Sequence, residues 1–253
     1  MTDAVTNSSQ PGVRKRQNAL RTTVIQRTFH PASPPGQVDQ RQRGVSRDAV
    51  LSWLQAYAAA VALNRDLLTA LDAAIGDADH GITLDRGWQA ALSRLPALAD
   101  KDIGTILKVT GMTLVATVGG ASGPLYGTLF LQMGASAASK LELTLTDWTR
   151  ALEAGVSGVV RRGKAAPGDK TMVDALQPAI DALAGAATAN AGLAEALRWS
   201  QQAAQQGMLA TIPLQARKGR ASYLGERSAG HQDPGATSSY LLLKTAADTW
   251  AGG

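Results

Sequence analysis

Three carboxylates, Asp72, Asp77 and Asp79, fall within eight residues of the stretch that runs from Leu71 to Gly87. Like charges at short range repel, so crowding of this kind costs free energy unless a cation neutralises it. A hard divalent ion with oxygen ligands supplies that neutralisation. Gly76 and Gly81 let the backbone bend sharply enough for the three side chains to converge. A second reading is that Asp72 ends a helix while Asp77 and Asp79 make turn hydrogen bonds. The spacing is not that of an EF-hand. With Asp77 in first place, Ile82 stands where that loop needs Gly, and Trp88 where it needs a bidentate Glu. His80, beside the carboxylates, is either a binding residue or a packing residue that supports them.

Three further connectors carry residues suited to chemistry. Gly119-Gly120-Ala121-Ser122-Gly123-Pro124 runs small residues into a helix start. It reads either as a plain helix–helix turn or as a set of free backbone N–H groups at a positive dipole end, suited to phosphate. The segment from Arg162 to Thr171 has Gly168 ahead of Lys170-Thr171, but Asp169 intervenes and no strand precedes it, so it is a cationic loop and not a P-loop. The segment from Ala216 to Ala236 places Arg217, Lys218, Arg220 and Arg227 within eleven residues, and Asp233-Pro234-Gly235 leads into the last helix. By itself it reads as a solvated surface loop. Together, an acidic cluster, a glycine-rich helix start and arginine-bearing loops are the parts of a phosphoryl-transfer site, in which cations neutralise phosphate oxygens.

The elements that must position these connectors are helices. From the N-cap candidate Ser46, apolar residues recur every three or four positions through Leu71. Similar stripes cover 84–95, 103–118, 124–140, 148–161, 171–183, 193–209 and 238–250, while alternating β-branched runs are nearly absent. The pattern predicts an all-α domain of about eight amphipathic helices over 46–253. Val109 to Ser139 contains no charge, but glycines break it and no 18-residue window is solidly apolar. It predicts two buried helices joined by a glycine turn and not a membrane span.

Composition excludes several classes. The 253 residues are 45% hydrophobic, enough to bury a core. They include no Cys, which excludes disulfides, thiolate zinc sites, iron–sulfur clusters and cysteine nucleophiles. Aromatics make up 4%, too few for stacking platforms on single-stranded nucleic acid. The formal charge of +5 is uneven: residues 1–47 hold eight Arg and Lys against two Asp, leaving 17 basic and 18 acidic groups in the other 206. A nucleic-acid partner is therefore not expected. Residues 1–45, polar and Pro-containing with no apolar periodicity, read as a disordered basic extension, or as a targeting leader, without the apolar region that secretion requires.

The four connectors, in this order, resemble the nucleotide-binding L subunit of dihydroxyacetone kinase and the related C-terminal domain of ATP-dependent dihydroxyacetone kinases. The matching strings are GDADHG at 76–81, GGASGPLYGT at 119–128, RGKAAPGDKTM at 162–172 and KGRASYLGERSAGHQDPGA at 218–236. The resemblance covers about residues 47–252; the first 45 have no counterpart in the pattern. It implies an antiparallel barrel of eight helices with the nucleotide at one open end. It implies two Mg2+ ions on Asp72, Asp77 and Asp79, bridging the phosphates of ADP or ATP. His80, Gly81, Ile82 and Thr83, with Ala121 and Ser122, would line the phosphate and ribose region. Gly163 and Met172 would meet the base, and Arg220 with Asp233, Pro234 and Gly235 would complete the pocket. Arg220 and the three aspartates would be the catalytic groups.

Thr83 departs from the pattern, which often has Asn there; Thr lacks the amide fork. The resemblance also implies a cytoplasmic subunit whose bound ADP is rephosphorylated by a phosphocarrier (M) subunit of the phosphotransferase system. The nucleotide then passes its phosphoryl group to dihydroxyacetone held on a separate K-type subunit. Two alternatives stand beside it: a subunit of an erythrulose-type ketose kinase using exchangeable ATP, and a nucleotide-sensing module that binds a transcription regulator. The intact carboxylate trio and Arg220 favour an enzyme over a sensor.

Overall fold

The computed structural model describes residues 44–251, and the basic segment 1–43 lies outside the described residues. Helix starts follow from local side-chain chemistry. The Ser46 Oγ accepts the Ala49 N–H at 3.2 Å and opens α1 (Arg47–Leu63). The apolar stripe through Leu71 predicts one helix here, but the chain breaks at Asn64, whose Nδ2 donates to the Ala60 carbonyl at 2.8 Å. An Asn that bonds back to its own helix competes with the helical ladder, and α2 (Arg65–Ile75) follows as a separate element. The described residues therefore hold nine α-helices where periodicity predicts about eight.

After α3 (His80–Leu92) come a 3-10 turn at Leu95–Leu98 and α4 (Ile103–Thr117). Next are α5 (Ser122–Ser136), α6 (Leu145–Gly163) and α7 (Met172–Thr188). The last two helices, α8 (Leu193–Ala210) and α9 (Pro234–Trp250), flank a 3-10 segment at Arg220–Ser228. Reciprocal capping boxes, Thr144 with Asp147 and Thr171 with Asp174, start α6 and α7. Two short strands, β1 (Val45–Ser46) and β2 (Glu142–Leu143), pair antiparallel. Val45, which composition alone assigns to the extension, is thus paired with Leu143 and buried.

From α3 to α9 each helix packs on the next, and α9 closes the ring on α1, which packs on α3. Short connectors from α3 to α8 give the antiparallel barrel order, and the longer 211–233 segment joins α8 to α9. The scarce aromatics fill its interior: Trp53 lies 5.3 Å from Trp148 and 5.2 Å from Trp250 between ring centres, and Trp88 lies 4.8 Å from Tyr57. Helix α2 lies outside this ring, against α3 and α9, and carries Asp72 to the barrel's end.

The charge-free stretch forms α4 and α5, joined at 118–121. Their seam is built on glycines seven residues apart. A Cβ on Gly111 would stand 2.8 Å from the Gly127 carbonyl oxygen, and one on Gly134 would stand 2.6 Å from that of Gly104. Close backbone approach, and not lipid, explains the composition. Among the described residues no helix is long and apolar enough to cross a membrane. Gly111→Val would force the two helices apart and destabilise the protein by about 1–3 kcal/mol. Thermal unfolding should show a fall of several degrees, and an unchanged melting temperature would mean that the seam is not tight.

Candidate active site

The acidic bend is assembled by its own backbone. Asp72, in the last turn of α2, is buried, and its Oδ2 accepts the N–H groups of Asp79 at 2.9 Å and His80 at 3.1 Å. One carboxylate oxygen thus caps the start of α3, where amides lack helical partners. Gly76 lies so close to this carboxylate that a Cβ would overlap it. Between them Ala78 adopts a left-handed conformation, φ 61°, uncommon for a residue with a side chain. The result is that one oxygen from each of Asp72, Asp77 and Asp79 lies within 4.8 Å of the others. The turn hydrogen bonds that the second sequence reading gives to Asp77 and Asp79 are accepted instead by Asp72, which still belongs to a convergent acidic trio. Burial, followed by the charges of Asp77 and Asp72, pushes the Asp79 carboxyl above the ordinary range, while Arg220 and Arg86 oppose the shift. Arg220 reaches the trio's edge, with Nη2 3.0 Å from Asp77 Oδ2.

His80 begins α3 inside the barrel and is held from both sides. Its Nδ1 lies 3.0 Å from Ser122 Oγ, at the start of α5, and its Nε2 lies 2.9 Å from Ser238 Oγ on α9. The Ser238 hydroxyl has carbonyls of Pro234 and Gly235 at 3.1 Å each and the Tyr126 hydroxyl at 2.7 Å. If Ser238 donates its one proton to those carbonyls, it accepts from Tyr126 and from His80 Nε2–H. We assign this tautomer, which leaves Nδ1 to accept the Ser122 proton. Burial lowers the His80 pKa to about 4, against the opposing field of Asp72, so the ring is neutral at pH 7.

These groups open on one cavity of about 380 Å³ at the barrel's end. One wall is the acidic bend, and a second is the glycine turn running into the first turn of α5, with Gly120 at φ 62° and Ala121 and Ser122 behind it. A third wall is apolar, with Gly163, Leu125, Val159 and Met172. Lys218 and Arg220 close it on the cationic side, and Asp233, Pro234 and Gly235 bring the start of α9 to it.

A family model described as DAK2 domain matches residues 74–248. This chain belongs to the DAK2 domain family. It is 46% identical to the "PEP-dependent dihydroxyacetone kinase, ADP-binding subunit DhaL" of Escherichia coli (strain K12), over 79% of this chain and 95% of that protein. It is 38% identical to the "PTS-dependent dihydroxyacetone kinase, ADP-binding subunit DhaL" of Lactococcus lactis, covering 78% of this chain and 95% of that one. The "L-erythrulose 1-kinase" of Mycolicibacterium smegmatis is 35% identical over 77% of this chain, which corresponds to only 34% of that longer protein. The fold is shared with the dihydroxyacetone kinase of C. freundii, solved with AMP-PNP and Mg2+: TM-score 0.60, 24% identity, 87% of this chain and 37% of that one.

In this DAK2 domain the cavity gathers Asp72, Asp77, Asp79, His80, Ala121, Ser122, Gly163, Met172, Arg220, Asp233, Pro234 and Gly235. Gly81, Ile82 and Thr83 do not line it. Successive helix residues turn by about 100°, so four in a row cannot all face one cavity. Gly81 packs on the Arg65 carbonyl, where a Cβ would not fit. Ile82 is 53% exposed and faces a separate cleft with Arg65 and Arg86. Thr83 is buried beside Gly119. Of the late loop's cations, Lys218 and Arg220 reach the cavity, whereas Arg217 and Arg227 do not line it. Sequence reasoning did not single out Tyr126, Lys170 or Ser238 as site residues. Ser238 lies 158 residues from His80, and its polar character on the last helix is the only sign it leaves.

Asp233 is buried at the start of α9, where its Oδ2 accepts the Ala236 N–H at 2.7 Å. Burial pushes its carboxyl up to about 7, with Asp174 and Asp72 adding and the Ala236 N–H and Lys170 opposing. The folded state therefore holds this proton more tightly than the unfolded chain, whose Asp titrates near about 4. The stability due to it is full below that value and is lost as pH rises through 7. Asp233→Asn keeps the acceptor for Ala236 and removes the titration. Its melting temperature relative to the unaltered protein should climb from pH 4 to pH 8, and a pH-independent difference would contradict the raised pKa.

Proposed function

We propose that this chain is the ADP-binding, magnesium-dependent subunit of a dihydroxyacetone kinase. In this reading, nucleotide held in the cavity passes a phosphoryl group to dihydroxyacetone on a K-type subunit, and a phosphocarrier (M) subunit recharges the ADP without its release. The observation that carries the reading is the convergence of the carboxylate trio, Arg220 and the start of α5 on one cavity. The names of its relatives, ADP-binding subunits of PEP- or PTS-dependent enzymes, support the same assignment.

The donor set suits magnesium. Three carboxylates converge where a single guanidinium is paired with one of them, and burial, with their mutual repulsion added, raises the Asp79 pKa. Asp72, Asp77 and Asp79 would hold the ions, and Asp72 has Oδ1 left over after its Oδ2 caps α3. Bound Mg2+ supplies neutralisation of phosphate oxygens. The protein's own groups do the rest. Free amides of the first turn of α5 receive phosphate oxygens, and neutral His80, by accepting the Ser122 proton, holds that turn in place. The apolar wall at Gly163 and Met172 takes the base. Arg220, held at the trio by Asp77, stabilises charge on the transferred group.

Acceptor tethering on another subunit fits the local chemistry. Both nitrogens of His80 are engaged, and the Lys170 ammonium is spent on backbone carbonyls, so neither is free to hold a carbonyl substrate. The choice among ketoses then lies with the partner.

Asp77→Ala should abolish Mg2+-dependent ADP binding in calorimetry, and ADP affinity equal to that of the unaltered protein would sink the assignment. Arg220→Lys keeps the charge but loses the planar fork. In a reaction reconstituted with K-type and phosphocarrier subunits, its turnover should fall by more than its ADP affinity does. Equal losses would remove Arg220 from the transition state.

A further inference from the structure

Lys170 stands between Asp169 and the α7 N-cap Thr171, in a left-handed conformation with φ 63°. Its side chain is among the most deeply buried, at 1% exposure. No carboxylate lies within ion-pair distance of it among the described residues. Instead Nζ donates to the carbonyls of Thr211 at 2.8 Å and Leu214 at 3.0 Å, and makes a close contact with that of His231. The Ile212 carbonyl, at 3.4 Å, is a fourth acceptor, so the three ammonium hydrogens are all engaged and none is left for a ligand. Burial lowers its pKa and the field of Asp233 opposes that, while a nest made of acceptors alone favours the protonated form.

These carbonyls belong to the two feet of the loop that carries Lys218 and Arg220. Thr211 and Leu214 form the first foot and His231 the second, and Gly230 N–H donates across to the Ile212 carbonyl at 2.7 Å. Arg217 N–H donates to the Asp169 carbonyl at 3.0 Å, joining the first foot to the segment that bears Lys170. Beyond the feet the loop has only a small apolar contact of its own, Ala216 and Ala221 with Ile75, packed against by Leu224. Tyr223, within it, is 88% exposed. Loss of the cation would leave the Leu214 and His231 carbonyls without a donor, while that of Thr211 would keep only the Leu214 N–H at 3.2 Å.

We propose that Lys170 is a positioning residue: its ammonium clamps both feet of the 215–230 loop and so sets Arg220 against Asp77 at the carboxylate trio. Its functional consequence rests on the cavity being the Mg2+–nucleotide site; the clamp itself does not.

Lys170→Met keeps the stem and removes the charge. Trypsin cleavage after Lys218 and Arg220 should then accelerate about tenfold or more, as expected when a closed segment opens locally. Cleavage elsewhere and the far-ultraviolet dichroism should stay the same. Calorimetry of Mg2+–ADP with the unaltered protein, Lys170→Met, Arg220→Ala and the double variant supplies the second arm. Lys170→Met should weaken binding, yet add nothing in the Arg220→Ala background, because effects that act through one residue are not additive. Unchanged loop cleavage, or fully additive losses, would overturn the proposal. Should the unaltered protein fail to bind Mg2+–ADP, the nucleotide reading falls and the cleavage arm alone decides the clamp. If Lys170→Met does not fold, Lys170→Gly, which suits the positive φ, replaces it. Added n-butylammonium should then restore slow loop cleavage where n-butanol does not, and no difference between the two would overturn the clamp.

Discussion

Three aspartates whose oxygens lie within 4.8 Å of one another are the constraint around which the rest is arranged. Such an arrangement is unfavourable by itself, and the surrounding chain offsets it locally. Asp72 is held by two amides at the start of α3, Gly76 removes the Cβ that would block it, and Ala78 accepts a left-handed backbone so that Asp77 and Asp79 turn inward. Strain of this kind persists where a structure over-determines it, and it gathers at functional sites. Arg220 compensates one of the three charges. The remainder is the electrostatic demand that the proposed magnesium would meet.

The barrel positions this bend because of how its ring closes. Helices α1 and α9 meet, which brings Ser238 to the ring of His80, and α5 enters from the glycine turn with Ser122 on the other nitrogen. One neutral imidazole therefore ties together the starts of three helices. Buried networks with every donor and acceptor satisfied are rigid, and a half-satisfied one is costly. The same economy governs Lys170, whose charge is matched by carbonyl dipoles and not by a carboxylate.

Much of this was legible in order along the chain. The helical periodicity, the cap at Ser46, the acidic trio and the four connectors all rest on spacings of a few residues, where local geometry follows from residue type. The break at Asn64 was not legible, since an Asn side chain that bonds back to its helix looks like any polar residue in a stripe. Nor was the orientation of 81–83. Motif adjacency puts these residues together with His80, but the rotation of α3 sends Ile82 to another face. The charge-free stretch was legible as buried helices, whereas the pairing of Gly104 with Gly134 and of Gly111 with Gly127 needed the packed pair.

What the amino-acid order determined alone was the helical class, the start of the first helix at Ser46, and the local crowding of Asp72, Asp77 and Asp79, because these depend on neighbours within one or two turns. Only the tertiary structure decided that Arg220 meets Asp77, that Ser238 meets His80, and that Lys170 gathers carbonyls from Thr211, Leu214 and His231. Those partners lie between 41 and 158 residues apart. Which of many polar residues at such separations come into contact is set by the closure of the ring, in which all the helices pack at once, and no local pattern encodes it.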